Sequence, residues 1–108
     1  MSVLSAWLLL LLAGLFEVGF TTFLKLSQGF SRLLPSVGFI LCAGISFWLL
    51  TKATLHIPLG TAYAVWTGVG VIGTVLVGIV AFGDSTSLVR MLCMLMLITA
   101  IVGLKISA

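Results

Sequence analysis

One carboxylate, Glu17, stands inside an apolar stretch that runs from Val3 to Leu24 with no other charge. As a helix, at about 1.5 Å per residue, that stretch crosses a hydrocarbon core about 30 Å thick. A carboxylate at the bilayer centre costs at least ~2.5 kcal/mol, so an intramembrane acid needs a partner or a task. No basic residue on the same segment neutralises it. The chemistry that follows is reversible binding of a proton or a cation. The alternative is a carboxyl kept protonated by a hydrogen bond to a neighbouring helix.

Helical spacing puts Ala13, Gly14, Phe20 and Thr21 on the face of Glu17. Small residues on one side, with an aromatic ring and a hydroxyl on the other, leave room for a ligand. A second group of interest is Tyr63 with Trp66, three residues apart, continued by Gly70 and Gly73. Their rings can form a wall that attracts a cation, and Tyr63 can donate a hydrogen bond to a buried carboxylate. Both residues also suit the aromatic belt at a membrane interface, and the sequence leaves the two readings open.

The remaining groups suggest little chemistry. Gly68-Val-Gly70-Val-Ile-Gly73 matches a dinucleotide-binding pattern, but it lies inside an apolar span with no strand before it. Three glycines so close together predict a bend instead. Cys42 and Cys93 read as small apolar residues, and His56 stands alone in a loop. No cysteine–histidine cluster, nucleophile–base pair or nucleotide motif occurs, so the expectation is no enzyme, no metal and no cofactor.

The elements that must position Glu17 are legible from composition. Of 108 residues, 62% are hydrophobic and 6% charged, with a mean hydropathy of +1.43. A water-soluble domain needs more polar surface than this. Four apolar blocks, about 3–24, 33–51, 59–82 and 88–105, predict an all-α membrane protein whose four transmembrane helices form one domain over 1–108. The connections are short, so consecutive helices run antiparallel. The N-terminal block lacks the basic start of a signal peptide and contains Glu17, and it reads as a retained first helix. Lys25, Arg32, Lys52, Arg90 and Lys105 fall near span ends, where long cationic side chains reach the interface. The charges form no run, which excludes a nucleic-acid surface.

Counting basic residues on the two sides gives Lys52 and Lys105 against Lys25, Arg32 and Arg90, too even a division to orient the chain. Insertion in both orientations would let two copies pair antiparallel, the symmetry of inverted-repeat transporters. Oligomerisation is also the simpler way for four short helices to enclose a site. Gly70-x-x-x-Thr74-x-x-x-Gly78 and Thr99-x-x-x-Gly103 form small-residue ridges that serve either a second copy or packing within the chain.

Nearly the whole chain resembles the small multidrug resistance (SMR) family. The resemblance is carried by Glu17-Val18, by Lys25-x-Ser27-x-Gly29-Phe30-x-Arg32-Leu33-x-Pro35-Ser36 and by Ser46-Phe47-x-Leu49-Leu50. It continues through Ile57-Pro58-x-Gly60-x-Ala62-Tyr63-Ala64-x-Trp66-x-Gly68-x-Gly70 and Gly103-Leu104-Lys105. It implies a multi-pass protein of the bacterial inner membrane that works as an antiparallel dimer and exchanges protons for small organic cations. By position, it implies Glu17 as the shared proton and substrate carboxylate, Tyr63 and Trp66 as aromatic site residues and Ser46 as a polar neighbour from the second helix. The Gly68/Gly70 region corresponds to the bend used in alternating access.

Gly73-Thr74-x-x-x-Gly78 and the Gly103-Leu104-Lys105 ending resemble the guanidinium-exporting branch. Thr21-Thr22, Ser36-Val37-Gly38, Cys42 and Phe47-Trp48 are more similar to the quaternary-ammonium branch. Phe20 replaces the Trp usual in guanidinium exporters. The resemblance thus implies a proton-coupled antiporter for guanidinium-type cations. Export of quaternary ammonium or aromatic cations, or a role as one subunit of a heteromeric pair, is the alternative.

Overall fold

The computed structural model describes residues 2–107. Four helices follow one another: α1 (Val3–Leu26), α2 (Leu33–Ala53), α3 (Leu59–Phe82) and α4 (Leu88–Ser107). All four are long and apolar enough to cross a membrane. The first two, and α4, continue about one half-turn beyond the expected ends. Lys25-Leu26, Lys52-Ala53 and Ile106-Ser107 stay helical. Hydropathy marks where a segment leaves hydrocarbon, whereas a helix ends where its last carbonyls find other donors.

Those ends are built by local chemistry. Ser2 caps α1 by accepting from the Ser5 N–H at 3.1 Å. Beyond α1, the buried Ser27 donates to the Leu24 carbonyl at 2.7 Å and accepts from the Phe30 N–H at 3.1 Å. Its own carbonyl accepts from the N–H groups of Ser31 and Arg32. This tight turn places Gln28, Gly29 and Phe30 in the left-handed region, where only glycine is free of steric cost. Pro35 lies in the first turn of α2, where no intrahelical N–H bond is lost. Gly83 ends α3 with φ of 69°, and the Asp84 N–H returns to the Gly78 carbonyl at 3.0 Å.

Helix α1 is the centre of the bundle, packing on α2 and on α3, while α4 leans on α3. The buried core is confined to one end of the three central helices. Ala6, Trp7, Leu10 and Ala13 of α1 meet Leu49 and Ala53 of α2, Ile57 of the following turn, and Ala62, Val65 and Trp66 of α3. No residue of α4 is buried. Large apolar side chains are exposed on every helix, as lipid contact requires. At the ends, the ammonium groups of Lys25, Lys52 and Lys105 lie over the rings of Phe82, Trp48 and Trp7, 5.3–5.5 Å from the ring centroids. This is the interfacial arrangement expected of long basic side chains.

Candidate functional site

Glycine on α3 is what admits Glu17. A Cβ built at Gly70 would collide with the Glu17 carboxylate, and one at Gly73 would collide with Val18. In return, Gly14 of α1 receives Val69 of α3. The two helices run parallel and in step, with Glu17 beside Gly70 and, one turn on, Thr21 beside Thr74. The hydroxyls of Thr21 and Thr74 hydrogen-bond at 2.7 Å. Here the Gly70–Thr74–Gly78 ridge is used within the chain, since Gly78 receives Asp84. The Thr99–Gly103 ridge is different, for a Cβ at Gly103 would meet open space.

Glu17 is 9% exposed, and its Oε2 has no hydrogen-bond partner among the described residues. A cavity of about 160 Å³ adjoins it, lined by Glu17, Thr21, Gly70, Val71, Thr74 and Val75. A buried carboxylate oxygen without a donor is costly, and a cationic N–H donor or a proton would relieve that cost. No cluster of three or more potential metal ligands occurs among the described residues.

The other residues singled out from the sequence form a second, adjoining group. Trp66 is buried and its indole N–H donates to Ser46 Oγ at 2.9 Å. Ser46 in turn donates to the Ala13 carbonyl at 2.7 Å, one turn before Glu17. This chain of two bonds ties α3, α2 and α1 together. It touches the backbone beside Glu17 rather than the carboxylate. Tyr63 is largely exposed, with its ring 5.9 Å from that of Trp66. Phe20 turns toward α2, with its ring 5.7 Å from Phe39 and 6.3 Å from Phe47, and Phe47 continues to Trp66 at 5.4 Å. Of the candidates, Glu17, Thr21 and Gly70 therefore share one cavity. Ser46, Trp66, Tyr63 and Phe20 lie along a polar and aromatic seam next to it. Gly68 faces neither group and receives Ile101 of α4, while α3 remains helical throughout.

The sequence draws attention to Thr74 as part of a packing ridge and of the branch resemblance, not as a site residue, and to Val71 and Val75 not at all. The signal for Thr74 was its spacing from Gly70, which repeats the Glu17–Thr21 spacing on α1. It becomes meaningful once the two helices are known to run parallel.

Comparison with known proteins agrees with this architecture. The family model described as Small Multidrug Resistance protein matches residues 5–98. The chain is 47% identical over 103 residues to the guanidinium exporter of Yersinia pseudotuberculosis, covering 95% of this chain and 99% of that protein. It is 46% identical to the guanidinium exporter of Salmonella typhimurium, covering 95% and 98% of the two chains. With the guanidinium exporter of Escherichia coli strain K12 the identity is 43%, over 94% and 97%. A family match across most of the chain, four membrane-spanning helices and an intramembrane carboxylate lead to one assignment: the chain belongs to the small multidrug resistance family of multi-pass inner-membrane transporters.

Proposed function

We propose that this protein is a proton-coupled antiporter that exports small guanidinium-type cations, with Glu17 carrying proton and cargo in turn. The observation that supports this most is the unpartnered Oε2 of Glu17 beside an open cavity, in a chain whose relatives are named guanidinium exporters. A guanidinium ion offers a planar fork of N–H donors that a carboxylate accepts in pairs, with charge assistance. A proton neutralises the same oxygens, so the two ligands compete for one site. Cargo binding on one side displaces protons, and protons displace cargo on the other. Neither ATP nor a metal takes part.

The reading includes a dimer in the membrane, with two antiparallel copies bringing their Glu17 sites together. Its supports are the even charge division and the exposed apolar length of α4. Tyr63 and Trp66, Ser46, Phe20 and Thr21 act around the cargo in this reading, and Gly68 and Gly70 let α3 shift. Glu17→Gln tests it. Reconstituted in vesicles with a pH gradient, the variant should lose guanidinium–proton exchange while still assembling, because the amide keeps the shape and loses the charge. Concentration of guanidinium by this variant, or wild-type transport of tetraalkylammonium but no guanidinyl cation, would refute the assignment.

A further inference from the structure

The seam between α1 and α3 continues past Glu17 toward one membrane face. Glu17 is followed by Thr21 and Thr22 on α1 and Gly70 by Thr74 on α3, and one turn further stand Lys25 and Gly78. A second cavity, of about 80 Å³, lies there, lined by Thr21, Thr22, Lys25, Thr74, Gly78 and Asp84 among others. The two cavities share Thr21 and Thr74, whose hydroxyls bond to each other across the seam. Each exceeds the roughly 10–15 Å³ that one water requires. Val77 and Phe82 make much of the wall of the outer cavity apolar, and its polar groups are the threonine hydroxyls, Lys25 and Asp84. Asp84 lies 3.9 Å from Arg90, and Lys25 rests over Phe82. At the other end of the same helices a cavity lies beside Val3, Trp7 and His56, but the fully buried Leu10, Ala13, Ala62 and Val65 stand between that end and Glu17.

We propose that the Thr21–Thr74 pair is a hydroxyl gate, through which water and protons reach Glu17 from the vestibule beside Lys25 and Asp84. This rests on the antiporter reading above and adds the route by which its proton travels. Thr21 donates to the Val18 carbonyl at 3.0 Å, which leaves its oxygen free to accept from Thr74. When the pair parts, both hydroxyls can bond to an entering water. A proton carried by that water then passes to the Glu17 carboxylate, which becomes neutral as the water returns to neutrality. In the structure the bonded pair lines both cavities, between Glu17 and the vestibule. A valine of the same shape would keep the packing and present no polar atom to water. Lys25 on α1, Asp84 before α4 and Arg90 on α4 are the charged groups at this mouth, and α2 contributes none to it.

The test uses the reconstituted full chain with no cargo. The infrared band of the protonated Glu17 carboxyl, identified by its loss in Glu17→Gln, is followed after rapid mixing into D2O. Thr74→Val should slow its deuteration about fivefold, the factor one hydrogen bond carries, while Thr74→Ser should exchange at close to the wild-type rate. Thr21→Val supplies the same measurement from the other side of the pair if Thr74→Val does not assemble. An unchanged rate in the valine variants overturns the gate. So does slowing in Thr74→Ser equal to that in Thr74→Val, which would mean packing rather than the hydroxyl. A wild-type chain without the band overturns it as well. Because no cargo is present, failure of guanidinium exchange would refute the antiporter reading without altering this readout.

Discussion

The two halves of the bundle, divided at Glu17, are built differently. Toward the N-terminal ends of α1 and α3, Trp7, Leu10, Ala62 and Val65 interlock with Leu49 and Ala53, and Ser46 joins three helices. Toward the other end, α1 has no buried residue beyond Glu17, α2 has none before Ser46, and α3 has only Gly78 beyond Gly70. That half holds Thr21, Thr22 and Thr74 and both seam cavities. One half is closed by apolar packing and the other is loose, with Thr21, Thr22 and Thr74 set among valines. Packing defects in lipid cost dispersion contacts, so a loose half persists only where something else is accommodated. Within the chain, Glu17 thus has a tightly packed side and an approachable side.

The largest break in this contrast should come from Gly70→Ala, at the boundary. The new Cβ would occupy the place of the Glu17 carboxylate, and overpacking of this kind costs about 1–3 kcal/mol. Guanidinium–proton exchange should fall far more than stability does, because in the proposed exchange the displaced group carries both ions. Gly103→Ala, the same chemical change in open space on α4, should leave the fold of the chain untouched. Equal effects of the two variants on exchange and on thermal stability would show that Gly70 is not needed to make room for Glu17, since the gain in helix propensity from Gly to Ala is the same at both sites. A loss of dimer alone at Gly103 would place a second copy on α4.

A smaller effect is expected in the closed half. Ser46→Ala removes the acceptor of the buried Trp66 N–H and should cost about 1–2 kcal/mol. Thermal unfolding in detergent measures it. Trp66→Phe in the same background should add less than it does alone, since the donor it removes is already without an acceptor. Additive effects would mean that the two residues do not act as a pair.

The smallest effect sharpens the aromatic edge between the halves. Phe20 packs between Phe39 and Phe47, so an indole there brings an N–H into an apolar cluster. Phe20→Trp should shift preference between bare guanidinium and an alkyl-substituted analogue by less than about 1 kcal/mol, the usual worth of one hydrogen bond, because the new N–H faces Phe39 and Phe47 rather than the Glu17 cavity. Relative transport of the two cations by both proteins gives the ratio. An unchanged ratio would remove Phe20 from the specificity-determining residues.

Much of this was legible in particular residues. Glu17 announced itself by the cost of a carboxylate amid Leu and Val, and the apolar block 59–82 coincides with the third helix. Ser46 had no such signal. One hydroxyl between Ile45 and Phe47 looks like many others in membrane helices, and only the family resemblance drew it out. Phe20 was placed on the Glu17 face by spacing. In the structure it turns to α2 and Thr21 stays with the carboxylate, because a helix face is about a turn wide and two neighbours can divide it between partners.

The sequence alone determined that there are four membrane-spanning helices, that one of them buries an acid, and to which family they belong. These follow from transfer free energies that add up residue by residue along a segment, and from motifs read in order. Tertiary structure decided that Gly70 seats the carboxylate, that Thr74 meets Thr21, and that the open half lies toward Lys25 and Asp84. Those facts depend on the parallel register of α1 and α3. Steric fit sets that register, between small and large side chains more than 50 residues apart in the chain. No local pattern contains it.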